Sequence, residues 1–450
     1  MINDSADVPK VRRIDSLAIA GMGVAAACCY VAYFLTGSLA PGSILGKMAL
    51  GLYLGLCGAF AMMASTKRRH SGFMWLWGVF LLMQVFGYLT VSNEQRAVAE
   101  PVFGGIIRTV VFTSLSIFPS YVLAARGIIG TRTMVTLGGT LVVTFLVVFL
   151  LGRSDTMAAG SDVTNAIYGL VYSLPFMVFP RKRIVSLLLA AVIVAATVLS
   201  FKRGALITVT VGLMVYSLFP AQESVERRGR WRRTWQRMGP PLVLFTMAVI
   251  VGANDRFSER FASLSDDGGS SRTIIMANLL DQWVSAPSLI TQLAGFGFYG
   301  TVWIGPNVAH NDLLELLIDF GVIGVALYLL MWRKLFQKGV AMLRQRPDLA
   351  RGLAIVLAMW IVDSQFQQWY LSLYPSASVI VLGYFLGCSL RHGGPEPALG
   401  GASNAPEPYI HATTGGRQHL PAVSTSMPRA SVALGQGPAG AAERPVTGDD

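Results

Sequence analysis

Charge is what this chain has least of. Only 13% of its 450 residues are Asp, Glu, Lys or Arg, against 53% hydrophobic residues, and the mean hydropathy is +0.54. That balance excludes an ordinary soluble enzyme, and an all-α polytopic membrane protein is expected. Cysteine is scarce as well. Cys28, Cys29, Cys57 and Cys388 all fall in apolar runs, with neither metal-ligand spacing nor the pattern of a disulfide framework, so they carry no role here. Acids are outnumbered by bases, 24 to 36, for a net charge of +12. Such an excess raises nucleic acid as a partner, but the placement of the cations follows membrane topology instead, and no nucleic-acid partner is expected.

What is abundant is long apolar runs. About 20 residues rising about 1.5 Å each cross a hydrocarbon core of about 30 Å. The first 15 residues are polar, carry Lys10, Arg12 and Arg13, and are expected in the cytoplasm. The apolar run that follows, to about residue 36, is too long for the core of a signal peptide and reads as a retained first span. Further runs lie near 45–65, 73–91, 104–125, 133–151, 164–180, 183–200, 203–220, 240–253, 311–332, 352–370 and 375–390, which makes about 12 transmembrane helices over residues 16–390. With the N-terminus inside, the inward segments hold 23 Lys and Arg, among them Lys67 to Arg69, Arg181 to Arg183 and the cluster at 227–237; the outward segments hold seven. That asymmetry is the positive-inside pattern and puts both termini on the cytoplasmic side. The Arg cluster with Trp231 and Trp235 is read as part of that signal. Residues 391–450 contain ten Gly and eight Pro with little apolar content, the composition of a disordered tail.

One outward loop is long, 253–311, and a loop of that length is usually functional or structured in its own right. Within it Ser271–Val284 has helical apolar spacing after a turn at Asp266–Ser270, so Arg272 is expected on the first turn of a helix lying on the membrane. Gly295, Gly297 and Gly300 of GFGFYG permit a close backbone approach. The loop then runs into AHNDLLELLIDFGVIG, Ala309 to Gly324, with His310 at the mouth of a span and Asn311 as its N-cap. Asp312, Glu315 and Asp319 share one stripe, and a carboxylate inside a span needs a partner or a water-filled cavity. A reaction or binding site at the membrane surface is the expectation. His310 is also the one histidine expected on the outer side, since His70 lies in an inward basic loop and His392, His411 and His419 lie at or in the tail.

Three stretches, LSFKRGALITVTVG at Leu199 to Gly212, GGSSRTIIM at Gly268 to Met276, and GFGFYG followed by AHNDLLELLIDFGVIG, resemble the O-antigen ligase and O-antigen polymerase superfamily of bacterial membrane glycosyltransferases. The motifs cover roughly residues 180–390. Lys202 departs from the pattern, standing where that family often has a small hydroxyl residue. The resemblance implies transfer of a glycan from an undecaprenyl diphosphate carrier, at the periplasmic face of the inner membrane, to lipid A core or to a growing polysaccharide. It implies Arg203 and Arg272 at the lipid diphosphate.

The residues themselves suit that chemistry. Arginine meets phosphate oxygens with a planar fork of donors, and a histidine with a pKa near 6.5 suits removal of a proton from an acceptor hydroxyl. His310 is therefore the candidate general base or acceptor-orienting group. Asp312, Glu315 or Asp319 would orient it or pair the arginines, with Lys202 and Tyr299 in support and Arg153, Arg256 and Arg260 on the same face. No metal and no cofactor are expected. The alternatives are a polymerase of the same superfamily and, from another class, a lipid-linked glycan transporter. A transporter often repeats its halves, and the charged motifs here fall only in the C-terminal half.

Overall fold

Apolar composition becomes helix throughout. The computed structural model describes residues 10–40, 42–65, 72–91, 107, 109–158, 165–180, 182–219, 238–239, 242–244, 246–249, 252, 272–305, 308–366 and 369–392, and these contain no strand. The helices are α1 Lys10–Leu39, α2 Ile44–Ser65, α3 Gly72–Thr90, α4 Ile117–Ala125, α5 Thr131–Ala158, α6 Ile167–Val171, α7 Arg183–Leu199, α8 Arg203–Leu218, α9 Arg272–Val284, α10 Leu289–Ala294, α11 Thr301–Ile304, α12 Asp312–Gln345, α13 Pro347–Phe366 and α14 Ser376–His392.

Six of them include stretches long and apolar enough to cross a membrane: Ser16–Leu39, Ile44–Ser65, Gly72–Thr90, Thr131–Asp155, Asp312–Leu343 and Leu349–Phe366. Shorter apolar helices occupy Thr109–Ala125, Ile167–Val178, Ile184–Leu199, Arg203–Leu218 and Ser376–Leu390. The expected run near 240–253 lies largely outside the described residues, as do 253–271, Arg108, Arg256, Arg260, the 227–237 cluster and the tail from 393.

Several boundaries differ from expectation for physical reasons. The polar N-terminal segment is already helical from Lys10, and α14 carries the chain on through Arg391 and His392. The run at 164–180 is not one helix: α6 stops at Val171 and a 3₁₀ turn takes Leu174–Val178, with Pro175 at its start. A proline lacks the amide needed to continue an α-helix, so the break falls where it sits. α12 runs on to Gln345, well beyond the apolar limit expected near Trp332.

Packing inside the bundle rests on small residues and aromatic rings. On α14, Gly383 and Gly387 are one turn apart, and a Cβ at either would strike α4, at the Ile117 carbonyl and Ser120 hydroxyl and at the Tyr121 carbonyl. This is the small-residue spacing by which membrane helices bring their backbones together. Beside it lies an aromatic core in which Trp360 stacks on Trp369 at 4.2 Å between centroids and Tyr328 meets Trp360 edge-on at 5.6 Å. Outward-facing Leu45, Leu52, Leu82, Phe86 and Leu187 stay exposed, as lipid-facing positions do.

Candidate functional site

The site is built where α12 begins. Asn311 is extended and its Oδ1 accepts from the Leu314 amide at 3.0 Å, the N-cap that its position predicts. Ten residues further on the helix breaks. Gly321 has φ 63 and ψ −159, a conformation open essentially to glycine alone, and a Cβ there would strike the carbonyls of Gln292 and Leu293. A broken helix leaves carbonyls without partners, and here the glycine loop supplies them: the Phe296 amide donates to Ile318 O at 2.7 Å and the Gly297 amide to Asp319 O at 3.0 Å. Gly295 must be small for the same reason, since its Cβ would strike the Asp319 carbonyl.

The three acids on the α12 stripe are fully buried and tie neighbouring segments to the helix. Asp312 accepts the Trp369 amide through Oδ1 at 2.8 Å and the Tyr328 hydroxyl through Oδ2 at 2.5 Å; that hydroxyl in turn accepts from the Trp360 indole at 2.5 Å. Glu315 accepts the Thr301 hydroxyl at 2.5 Å and the Ala309 amide at 2.9 Å. Asp319 accepts the Gly300 amide through Oδ1 at 2.7 Å, while its Oδ2 has no hydrogen-bond partner. Among the described residues, the donors to Asp312 and Asp319 are therefore backbone amides and Tyr328 rather than His310 or an arginine. These carboxylates fasten the loops around the helix mouth. Their hydrogen bonds help to offset loop-ordering entropy.

His310 sits between two of these fastenings. Its own φ is 53, the amide before it is held by Glu315, and the residue after it is the N-cap. The other non-glycine residues with positive φ among those described are Phe201 at 52 and Tyr299 at 60. All three therefore fall in the motif stretches, and backbone strain of this kind persists only where the surroundings hold it. Tyr299 is buried beside the acids; burial, and then the charges of Glu315 and Asp319, push its phenol up to about 12.

The cationic side is a hairpin. α7 ends at Leu199, Ser200 to Lys202 make the turn, and Arg203 opens α8. Phe201 is buried with the Arg153 guanidinium, from the end of α5, 5.2 Å from its ring centroid, so Arg153, Lys202 and Arg203 gather at one end of the bundle. The last turn of α13 joins this end to the α12 mouth. A Cβ at Gly204 would lie 3.9 Å from Phe366 Cβ, and the Asn311 side-chain Nδ2 donates to Gln365 Oε1 at 3.4 Å. The residue after Arg203 and the residue after His310 thus flank consecutive residues of one helix. Arg272 opens α9, one turn before Ile275, which packs with Leu279, Ala309 and Leu314.

Sequence reasoning missed Asp363. It is fully buried on α13, accepts the Thr208 hydroxyl of α8 through Oδ1 at 3.2 Å, and leaves Oδ2 without a hydrogen bond. The signal was present, a single acid within AIVLAMWIVDSQF, and an ionisable group inside a span marks a site by default.

Chemically, this end of the bundle offers cations that suit a bound anion and a histidine on a rigid loop beside them. No protein-family model matches the chain, and no curated protein was found similar to it.

Proposed function

We propose that this protein is a membrane glycosyltransferase of the O-antigen ligase type. It transfers a glycan from undecaprenyl diphosphate to an acceptor sugar with inversion and without metal, at the periplasmic face of a bacterial inner membrane that it crosses about 12 times, with both termini cytoplasmic. The observation that carries this reading is the meeting of the Arg203 hairpin and the His310 loop on Gln365 and Phe366 of α13. In this reading Arg203 and Arg272 hold the diphosphate by bidentate hydrogen bonds, and Arg153 and Lys202 add positive potential. The departing diphosphate keeps the bonding electrons of the anomeric C–O bond and is stabilised there. His310 takes the proton of the acceptor hydroxyl as its oxygen attacks the anomeric carbon. The acceptor is lipid A core, or a growing polysaccharide in a polymerase.

The break of α12 at Gly321 favours a second reading, a transporter of the same lipid-linked glycan, because transporters place discontinuous helices at their substrate sites. One experiment separates them. Purified protein in liposomes with a polyprenyl-diphosphate glycan and a lipid A core acceptor is expected to form the new glycosidic bond, and to keep doing so in EDTA. Movement of the donor across the bilayer without bond formation would establish the transporter. Loss of transfer in EDTA with recovery in magnesium would overturn the metal-free mechanism.

A further inference from the structure

The segment between the two site motifs is unusually apolar for a loop. From Thr273 to Gly300 the sole charged residue is Asp281. α9 divides its surface three ways. Ile275, Leu279 and Trp283 face the protein and pack near Ala309 and Ile318; Asn278, Asp281 and Gln282 form a polar stripe, with exposed Ile274 among them; Leu280 and Val284 are exposed on the remaining face. A helix with one face to protein, one to water and one apolar face left open has the pattern of an element lying in a membrane interface.

The following helix goes further. α10 buries none of its residues, and Leu289 is 69% and Ile290 75% exposed. Yet α10 is not on the rim. Its end at Gln292 and Leu293 packs on Gly321, nine residues along a helix that is itself apolar enough to span, and Val322 and Ile323 next to that glycine are exposed as well. The apolar surface of α10 therefore continues directly into that of a spanning helix.

Non-helical backbone survives at such depth when its polar groups are satisfied within the protein. Here they are. The Ser288 hydroxyl caps α10 at the Thr291 amide, the Gln292 side chain donates to Val284 O at 3.0 Å, and the Trp283 indole donates to Gln292 O at 3.2 Å. The Phe296 and Gly297 amides are taken by Ile318 and Asp319 of α12.

We infer that α9 and α10 form a hairpin inserted into the bilayer, with lipid hydrocarbon covering Leu289, Ile290 and Leu293 together with Val322 and Ile323. The inference stands apart from the glycan-transfer reading and would hold equally for a transporter. It makes the wall between the two motifs a lipid-facing one, by which a molecule with a hydrocarbon tail reaches the His310 loop from within the membrane.

The test uses the full chain in liposomes, with the four native cysteines changed to alanine. Ile290→Cys is expected to react with a membrane-impermeant maleimide at least about tenfold more slowly than Gln282→Cys on the polar stripe, because apolar insertion removes it from water. A nitroxide at 290 is expected to meet oxygen more often than an aqueous nickel complex. Equal labelling rates, or a nickel preference, would place α10 in water and overturn the inference. Shielding from both oxygen and nickel would show protein covering it, a second copy of the chain, and would overturn it too. Should Ile290→Cys fail to fold, Leu289→Cys serves. A diazirine side chain at 290 in the chain with its native cysteines is expected to yield lipid adducts, and adducts to protein alone would count against lipid.

Discussion

The two sides of the site hold their charges in opposite ways. On α12 the carboxylates of Asp312, Glu315 and Asp319 are fully buried and accept from Trp369, Tyr328, Thr301, Ala309 and Gly300, donors that the chain itself supplies from four separate segments. At the α7–α8 turn Lys202 and Arg203 are only half-buried, at the open end of a hairpin. A buried charge satisfied internally is an element of construction, and removing it leaves donors orphaned. A half-exposed cation at the end of a span stays in reach of solvent. The acids thus position loops, and the proposed transfer assigns the chemistry to His310 and the arginines.

The largest effect expected from this division is on transfer. His310→Ala should lower the rate about 10² to 10⁴-fold, the range of general base catalysis, with carrier binding and thermal stability nearly unchanged. Measured carrier affinity that fell with this variant would move His310 to the donor side. Next comes Arg203→Lys, which keeps the charge but loses the planar fork. A lost charge-assisted hydrogen bond costs about 1.5 to 3 kcal/mol, or roughly one to two decades, and here the carrier should bind more weakly. Normal carrier affinity with slow transfer would instead move Arg203 to the acceptor side.

Glu315→Gln probes the other half of the comparison. Its amide nitrogen would face either the Ala309 amide, which can only donate, or the Thr301 hydroxyl, which would have to turn to accept, where the carboxylate offers an acceptor to both, and the cost is about 1 to 3 kcal/mol of stability. The melting midpoint in detergent should fall, whereas Asp281→Asn on the exposed face of α9 should leave it unchanged. Equal midpoints for the two would show that burial on α12 confers no structural role. The smallest effect concerns Gln84 on α3, fully buried with neither amide atom hydrogen-bonded. Gln84→Leu removes an unsatisfied polar group of similar size and should stabilise the protein by about 1 kcal/mol, read as a higher midpoint. A lower midpoint would reveal a partner for Gln84.

Much of this was legible beforehand, and where it failed the cause is specific. The helix at Ser271–Val284 and the Asn311 cap were visible because apolar spacing and capping act within a few residues. The break at Gly321 was not, because nothing local to LIDFGVIG demands it; the cause is a backbone some thirty residues earlier that needs the space. The acids were recognised as costly within a span and expected to orient His310 or pair the arginines; donors of another kind also reach them. Their donors come from Thr301, Ala309, Tyr328 and Trp369, residues with no distinguishing feature in sequence.

The sequence by itself determined the class of protein and the approximate positions of its described helices. Apolarity over about 20 residues is a sum over neighbours and needs no knowledge of the fold. It also marked His310, Arg203 and Arg272 as chemically distinctive residues beside apolar runs. Only the tertiary structure decided that the Arg203 hairpin and the His310 loop meet on Gln365 and Phe366, that Asp363 faces Thr208, and that the glycine loop caps a broken α12. Each of these is a contact between segments far apart along the chain. In an apolar medium such contacts are selected by close packing and by the need to satisfy every backbone group, conditions that apply only once the helices are side by side.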